Sequence, residues 1–283
     1  MIHTTIISTE ELAQNLNNPN WAIIDCRFLL NDTAAGRVGY EEAHIPGAVY
    51  AHLDEDLSGP IVPGETGRHP LPSIETFGAT LGKWGITSDT QVIAYDTSGC
   101  VYAGRLWWML RWMGHDGVAV LDGDFRLWQK EGRPIASGME ERSPVTFAAN
   151  PQPVMAASVD EMVANLSSQR YQTYDARDEP RYRGEVAGMD PVSGHIPGAI
   201  SAHFAANLNE DGTFRSPEEL RARFSQLLGS ANPDKTIWYC GSGVSVHHDL
   251  LALEIAGFDR GARAYIGSWS DWINDRGRPV ERG

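Results

Sequence analysis

Two hydrophobic patterns alternate along the chain. Short apolar and β-branched runs, such as Ala22–Cys26, Gln91–Tyr95 and Val118–Leu121, read as buried strands. Between them, Ser73–Trp84, the tryptophan-rich Tyr102–Met113 and the segment running through Trp128 carry apolar residues three or four apart, the spacing of helices. Ser8-Thr-Glu-Glu11 and Ser158-Val-Asp-Glu161 have the Ser-x-x-Glu form of a capping box and predict helix starts. Further short strands are expected at Ala48–Tyr50 and near Thr173, Ala199, Ile237 and Ala264. Such alternation implies an α/β fold, a mostly parallel sheet with helices on both faces. Ligands of open sheets of this kind bind beyond the carboxyl ends of the strands.

The same order of segments occurs twice. Ser8–Glu11 matches Ser158–Glu161, and Asp25-Cys-Arg27 matches Asp175-Ala-Arg177. His44-Ile-Pro-Gly-Ala48 recurs as His195-Ile-Pro-Gly-Ala199, and Gly132-Arg-Pro134 as Gly277-Arg-Pro279. The repeat length is about 150 residues, which is the size of a domain and not of a solenoid unit. The chain is therefore read as a tandem pair, 1–139 and 154–283. The polar, proline-containing stretch 140–153 is read as the linker.

Composition narrows the function. With 283 residues and 42% hydrophobic content, the chain can bury ordinary cores. A net charge of −14 argues against nucleic acid and against anionic membrane surfaces, but leaves room for a local basic pocket. No apolar run reaches the roughly 20 residues of a membrane span. The opening MIHTTIISTEELAQ does not look like a signal peptide, so a cytoplasmic protein is expected. The three cysteines, Cys26, Cys100 and Cys240, form neither a disulfide framework nor a zinc-ligand spacing. His247 and His248 are adjacent, about 100° apart on a helix, and read as packing or solvated residues and not as a metal pair.

One segment stands out chemically. Thr236-Ile-Trp-Tyr-Cys240-Gly-Ser-Gly-Val-Ser245 takes a strand into a glycine-rich loop and then into a helix. Its counterpart in the first half, Val92–Gly99, has Asp96 at the cysteine position. Glycines at 241 and 243 allow successive backbone N–H groups to turn toward one point, a nest that favours anionic sulfur or oxygen. The N-terminus of the following helix adds to that preference, so Cys240 is a candidate nucleophile. Packing suffices to explain Cys26, within a strand, and Cys100.

The tandem HIPGA segments, the strand–Cys–glycine loop–helix, and the segments LDGDFRLW and YIGSWSDW together resemble the two-domain rhodanese-superfamily sulfurtransferases over nearly the whole chain. The resemblance is to both 3-mercaptopyruvate and thiosulfate sulfurtransferases. It implies an inactive first domain and an active second one. The Cys240 sulfur would accept sulfane sulfur from a small donor as a persulfide and pass it to a thiol or cyanide acceptor, with thioredoxin one option. It implies no cofactor and no metal. The neutral loop Gly241–Ser245 is similar to mercaptopyruvate-using members, with Ser245 where threonine is usual, and thiosulfate is the alternative donor. Within that resemblance Gly241, Gly243, Val244, Ser245, Arg181 and Arg177 would bind the donor. Arg177 has a counterpart in Arg27, so a structural Asp–Arg role stands equally open for it. No arginine in the loop before the second HIPGA matches a further family arginine. A relay of Ser242, Asp54 and His69 would protonate the departing enolate. A phosphatase of the Cys-x5-Arg kind is excluded because Val246 occupies the arginine position. A non-catalytic sulfur-carrier or docking module is the alternative of another class, which Cys240 argues against.

Overall fold

The computed structural model describes residues 2–283. Two sheets carry it. The first contains β1 (Ile6–Ile7), β2 (Trp21–Asp25), β3 (Ala48–Tyr50), β4 (Gln91–Tyr95) and β5 (Val118–Leu121), in the order β1-β5-β4-β2-β3. The second contains β6 (Ala156–Ala157), β7 (Gln172–Asp175), β8 (Ile200–Ser201), β9 (Thr236–Tyr239) and β10 (Arg263–Tyr265), in the order β6-β10-β9-β7-β8. Every pairing in both is parallel. In each sheet the chain proceeds outward on one side from β2 or β7 and on the other from β4 or β9. The ends of β4 and β9 therefore lie at the switch in strand order, where open sheets leave a crevice.

The helices of the first half are α1 (Thr9–Gln14), α2 (Ala35–Glu42), α3 (Ile74–Lys83), α4 (Val101–Trp112) and α5 (Asp124–Lys130). Those of the second half are α6 (Val159–Ser168), α7 (Glu179–Arg183), α8 (Pro217–Leu228), α9 (Val246–Ile255) and α10 (Ser268–Trp272). Ser158 forms the full capping box with Glu161, whereas Ser8 supplies only the side-chain half of one. Helix α2 has no counterpart in the sequence pattern, because Gly36 and Gly39 lower its propensity and no side chain caps it. Packing imposes Gly36, since a Cβ there would lie 2.0 Å from the Arg27 carbonyl oxygen. Cys26 lies one residue beyond β2 and not within the strand, although its N–H still bonds to the Tyr95 carbonyl.

The chain divides into two compact units. One runs to Gly59 and includes Pro72–Gln152 and Leu208–Phe214; the other includes Pro60–Leu71, Pro153–Asn207 and Arg215–Gly283. Residues 140–152 are held to the first unit by several bonds. Val145 N–H donates to Gly82, and Arg142 donates to the carbonyls of Trp84 and Trp21. Ile7, Ile23, Ile93, Leu121 and Trp128 belong to one core, and Ile196, Ile237, Tyr265, Trp269 and Trp272 to the other.

Each unit has the same charged clamp at a strand end. Arg177 Nε and Nη2 donate to Asp175 at 2.6–3.0 Å, and Nη2 also reaches the Gly194 carbonyl at 2.6 Å. Arg27 does the same with Asp25 and the Ala43 carbonyl. The clamp fixes the turn that begins at His195 or His44, and those histidines are themselves structural. His195 stacks on Tyr182 and bonds to its carbonyl, and His44 does so on Tyr40. Burial opposes the charge on Arg177, and the Asp175 carboxylate more than offsets that, raising its pKa. Removing the guanidinium would leave a buried carboxylate unpaired, which costs about 3–5 kcal/mol. Arg177→Ala is therefore expected to lower the denaturant midpoint of the second unit by that order. A midpoint shift below about 1 kcal/mol would show the clamp to be dispensable.

Candidate active site

Strand β9 ends at Tyr239, and Cys240 follows it, 1% exposed. Backbone bonds on both sides fix its position. Cys240 N–H donates to Ser268 Oγ at 3.1 Å, Trp269 N–H donates to the Cys240 carbonyl at 3.0 Å, and Ser270 N–H to that of Gly241 at 2.9 Å. The first turn of α10 thus holds the loop in place. Ser268 has φ +55°, a rare conformation for a non-glycine residue, and its hydroxyl also donates to the Tyr265 carbonyl. The Ser268 hydroxyl lies 3.9 Å from Cys240 Sγ.

The loop itself turns at Gly243, where φ is +76° and a Cβ would lie 2.1 Å from the Ile266 carbonyl oxygen. What its amides are arranged to do is visible in the first unit. There Asp96 follows β4, and its carboxylate accepts from the amides of Ser98, Cys100, Tyr102 and Ala103 at 2.8–3.0 Å. Burial and the neighbouring Asp124 push the Asp96 pKa up to about 6, against the pull of those amides. The positions corresponding to Ser98, Cys100 and Tyr102 in the second unit are Ser242, Val244 and Val246. Among the described residues their amides meet no protein acceptor. Buried amides of this kind are ordinarily paired, so the second loop has the form of an anion cradle with its donors still available.

Two cations flank this cradle. A Cβ on Gly241 would lie 2.6 Å from Arg181 Nη2 and 3.5 Å from Arg68 Nη2. Their side chains are 29% and 30% exposed. Arg181, expected here, is brought to the loop by α7, whose N-cap Asp178 accepts the Arg181 N–H. Arg177 does not point its guanidinium to Gly241 but to Asp175 and the Gly194 carbonyl. It is buried in the Asp175 clamp, which supports the structural alternative. His69 Nδ1 lies 2.9 Å from Ser242 Oγ, which joins two members of the expected relay within the second unit. Asp54 lies in the first unit on the loop after β3, where its N–H donates to His52 Nδ1. Val244 lies in the loop, its carbonyl bonded to His247 Nδ1, and Ser245 is the N-cap of α9 without a side-chain cap bond. His247 and His248 are buried on α9.

Arg68 and Ser268 escaped the sequence reading. Arg68 immediately precedes His69 in Gly67-Arg-His-Pro70, a basic residue beside a relay candidate in an acidic chain. Its N–H donates to Ser270 Oγ, which carries it to the Cys240 loop. Ser268 stands where the first half has Asp124, the one substitution that swaps a carboxylate for a hydroxyl beside the strand-end loop. The loop 241–245 itself carries no basic residue, and both guanidiniums reach it from segments distant in sequence.

The Rhodanese-like domain model matches residues 8–131 and again 158–275. The chain belongs to the rhodanese-like family. It is 43% identical to a probable 3-mercaptopyruvate sulfurtransferase of Pseudomonas aeruginosa over the whole of both chains. It is 35% identical to the thiosulfate sulfurtransferase of Rattus norvegicus, covering 96% of this chain and 93% of that one. The 3-mercaptopyruvate sulfurtransferase from Leishmania major superposes with a TM-score of 0.85 at 28% identity, covering 98% of this chain and 75% of that one. These relatives make the chain an enzyme of the sulfurtransferase class, built from tandem rhodanese-like domains. No helix among the described residues is long and apolar enough to cross a membrane.

The two glycines of the cradle make different demands. At Gly243 both the backbone angle and the Ile266 carbonyl oppose a side chain, whereas at Gly241 the obstacle is the end of a flexible arginine. Gly243→Ala is expected to cost about 2 kcal/mol or more and to abolish transfer. Gly241→Ala should keep the unfolding midpoint within about 1 kcal/mol and raise KM for the donor by displacing Arg181. Equal losses of stability in the two variants would contradict this geometry.

Proposed function

We propose that Cys240 accepts the outer sulfur of a small anionic donor and passes it on as a persulfide. The observation that carries this reading is the strand-end cysteine at a cradle whose equivalent in the first unit already holds a carboxylate. In the first step the Cys240 thiolate attacks the donor's transferable sulfur, the thiol sulfur of 3-mercaptopyruvate or the outer sulfur of thiosulfate. With 3-mercaptopyruvate the C–S bond breaks and the electron pair leaves on carbon as the enolate of pyruvate, which then takes up a proton. With thiosulfate the S–S bond breaks and sulfite leaves. In the second step an acceptor thiolate or cyanide attacks the outer sulfur and Cys240 departs again as thiolate. Between the steps, the amides of Ser242, Val244 and Val246 receive the outer sulfur, the anion the nest chemistry favours.

Gly241, Gly243, Val244 and Ser245 shape the donor pocket, and Arg181 binds the donor's anionic group. Arg181 Nη2 beside Gly241 supports that role. Ser242 and His69, at hydrogen-bond distance, deliver the proton to the enolate. 3-Mercaptopyruvate is the favoured donor, supported by the loop Cys-Gly-Ser-Gly-Val-Ser and by the full-length relative of that name. Thiosulfate is the second reading, supported by the two guanidiniums at Gly241. The acceptor is a thiol, thioredoxin included, or cyanide. Three buried free cysteines suit a reducing, cytoplasmic setting.

Mass spectrometry after incubation with each donor tests the reading. One added sulfur atom is expected on the peptide containing Cys240 and none in Cys240→Ser, which should lose transfer from both donors by more than about 1000-fold while unfolding at the wild-type midpoint. Persistent turnover in Cys240→Ser would sink it.

A further inference from the structure

The loop 184–193, between α7 and β8, reaches both guanidiniums beside Gly241. Gly188, at φ +65°, packs over Arg181, and a Cβ there would lie 3.4 Å from Arg181 Nε. Asp190, two residues on, turns its carboxylate onto Arg68 Nη1 through Oδ1. The Asp190 side chain is completely buried, whereas Arg68 retains solvent access. Asp190 Oδ2 is buried without a hydrogen-bond partner. A buried carboxylate satisfied on one oxygen alone is an expensive way to stabilise a loop. What it does provide is an internal anion on the same guanidinium whose other terminal nitrogen, Nη2, faces the cysteine loop. By contrast, among the described residues Arg181 meets only the exposed Asp178, at 3.6 Å, and its buried Nε has no acceptor.

We propose that Asp190 sets the charge class of the sulfur donor: it occupies Arg68 with a buried carboxylate and leaves Arg181, paired only loosely with the exposed Asp178, to meet the donor, so that a monoanion such as 3-mercaptopyruvate is preferred over a dianion such as thiosulfate. This rests on the persulfide reading of Cys240 and adds to it a residue that acts through another, tuning the positive charge that the donor meets. A dianion needs the second cation, and the buried carboxylate both neutralises that cation and repels the extra charge.

The test is donor selectivity in the full chain. In Asp190→Asn the ratio of kcat/KM for thiosulfate to that for 3-mercaptopyruvate is expected to rise about tenfold or more, mainly through a lower KM for thiosulfate. Asp190→Glu, which keeps the charge, should retain the wild-type ratio. In an Arg68→Gln background, Asp190→Asn should no longer move it, because the residue through which it acts is gone. A ratio within about twofold of wild type in Asp190→Asn, or the same rise without Arg68, would overturn the proposal. Binding gives a readout free of turnover. In a Cys240→Ser background, calorimetry with thiosulfate and pyruvate as probes should show Asp190→Asn favouring the dianion. That shift supports the role of Asp190 even if no donor loads Cys240, which would overturn only the persulfide reading. No shift overturns the role itself.

Discussion

A ring of backbone amides at the end of a central strand governs this molecule's chemistry. Parallel strands bring β4 and β9 to the switch in strand order, and a glycine turn then aims several N–H groups inward. Such a ring is unfavourable without an anion, because buried amides lacking acceptors each cost free energy. The first unit solves the problem covalently, with the Asp96 carboxylate accepting four amides. The second has the same scaffold with Cys240 at the aspartate's place. The proposed chemistry rests on the difference between an anion fixed to the chain and one that arrives, is held and departs.

The surroundings of the second ring serve that exchange. The amides of Trp269 and Ser270 secure the carbonyls of Cys240 and Gly241, so the first turn of α10 fixes the shape of the loop. The Asp175–Arg177 clamp anchors β7, the neighbouring strand, to the turn before β8. The overall charge of −14 would repel an anion, and Arg181 reverses that locally beside Gly241, where Asp190 offsets the charge of Arg68.

Much of this was legible before the coordinates. Strands β4 and β5 fall on Gln91–Tyr95 and Val118–Leu121, as their unbroken apolar runs indicate, and the internal repeat transfers the same topology to the second half. Cys240 could be singled out because Asp96 shows that the turn forms without a cysteine. The rest depended on contacts that no local pattern encodes. Arg68 and Asp190 meet across more than a hundred residues of chain, and Arg177 could be assigned to its clamp only once its burial was visible. Helix α2 was hidden by Gly36 and Gly39, of which Gly36 is dictated by the Arg27 carbonyl and not by helix preference.

The amide ring is tested most directly by placing the first unit's anion in the second. Cys240→Asp and Cys240→Val should be compared by denaturant unfolding at neutral pH, followed through the tryptophan emission of Trp238, Trp269 and Trp272. If the ring is an anion cradle, the aspartate variant unfolds at a midpoint equal to or above that of the valine variant, despite burying a charge. An aspartate variant less stable than valine by about 2 kcal/mol or more, the ordinary penalty for burying an unsatisfied polar group, would contradict the account.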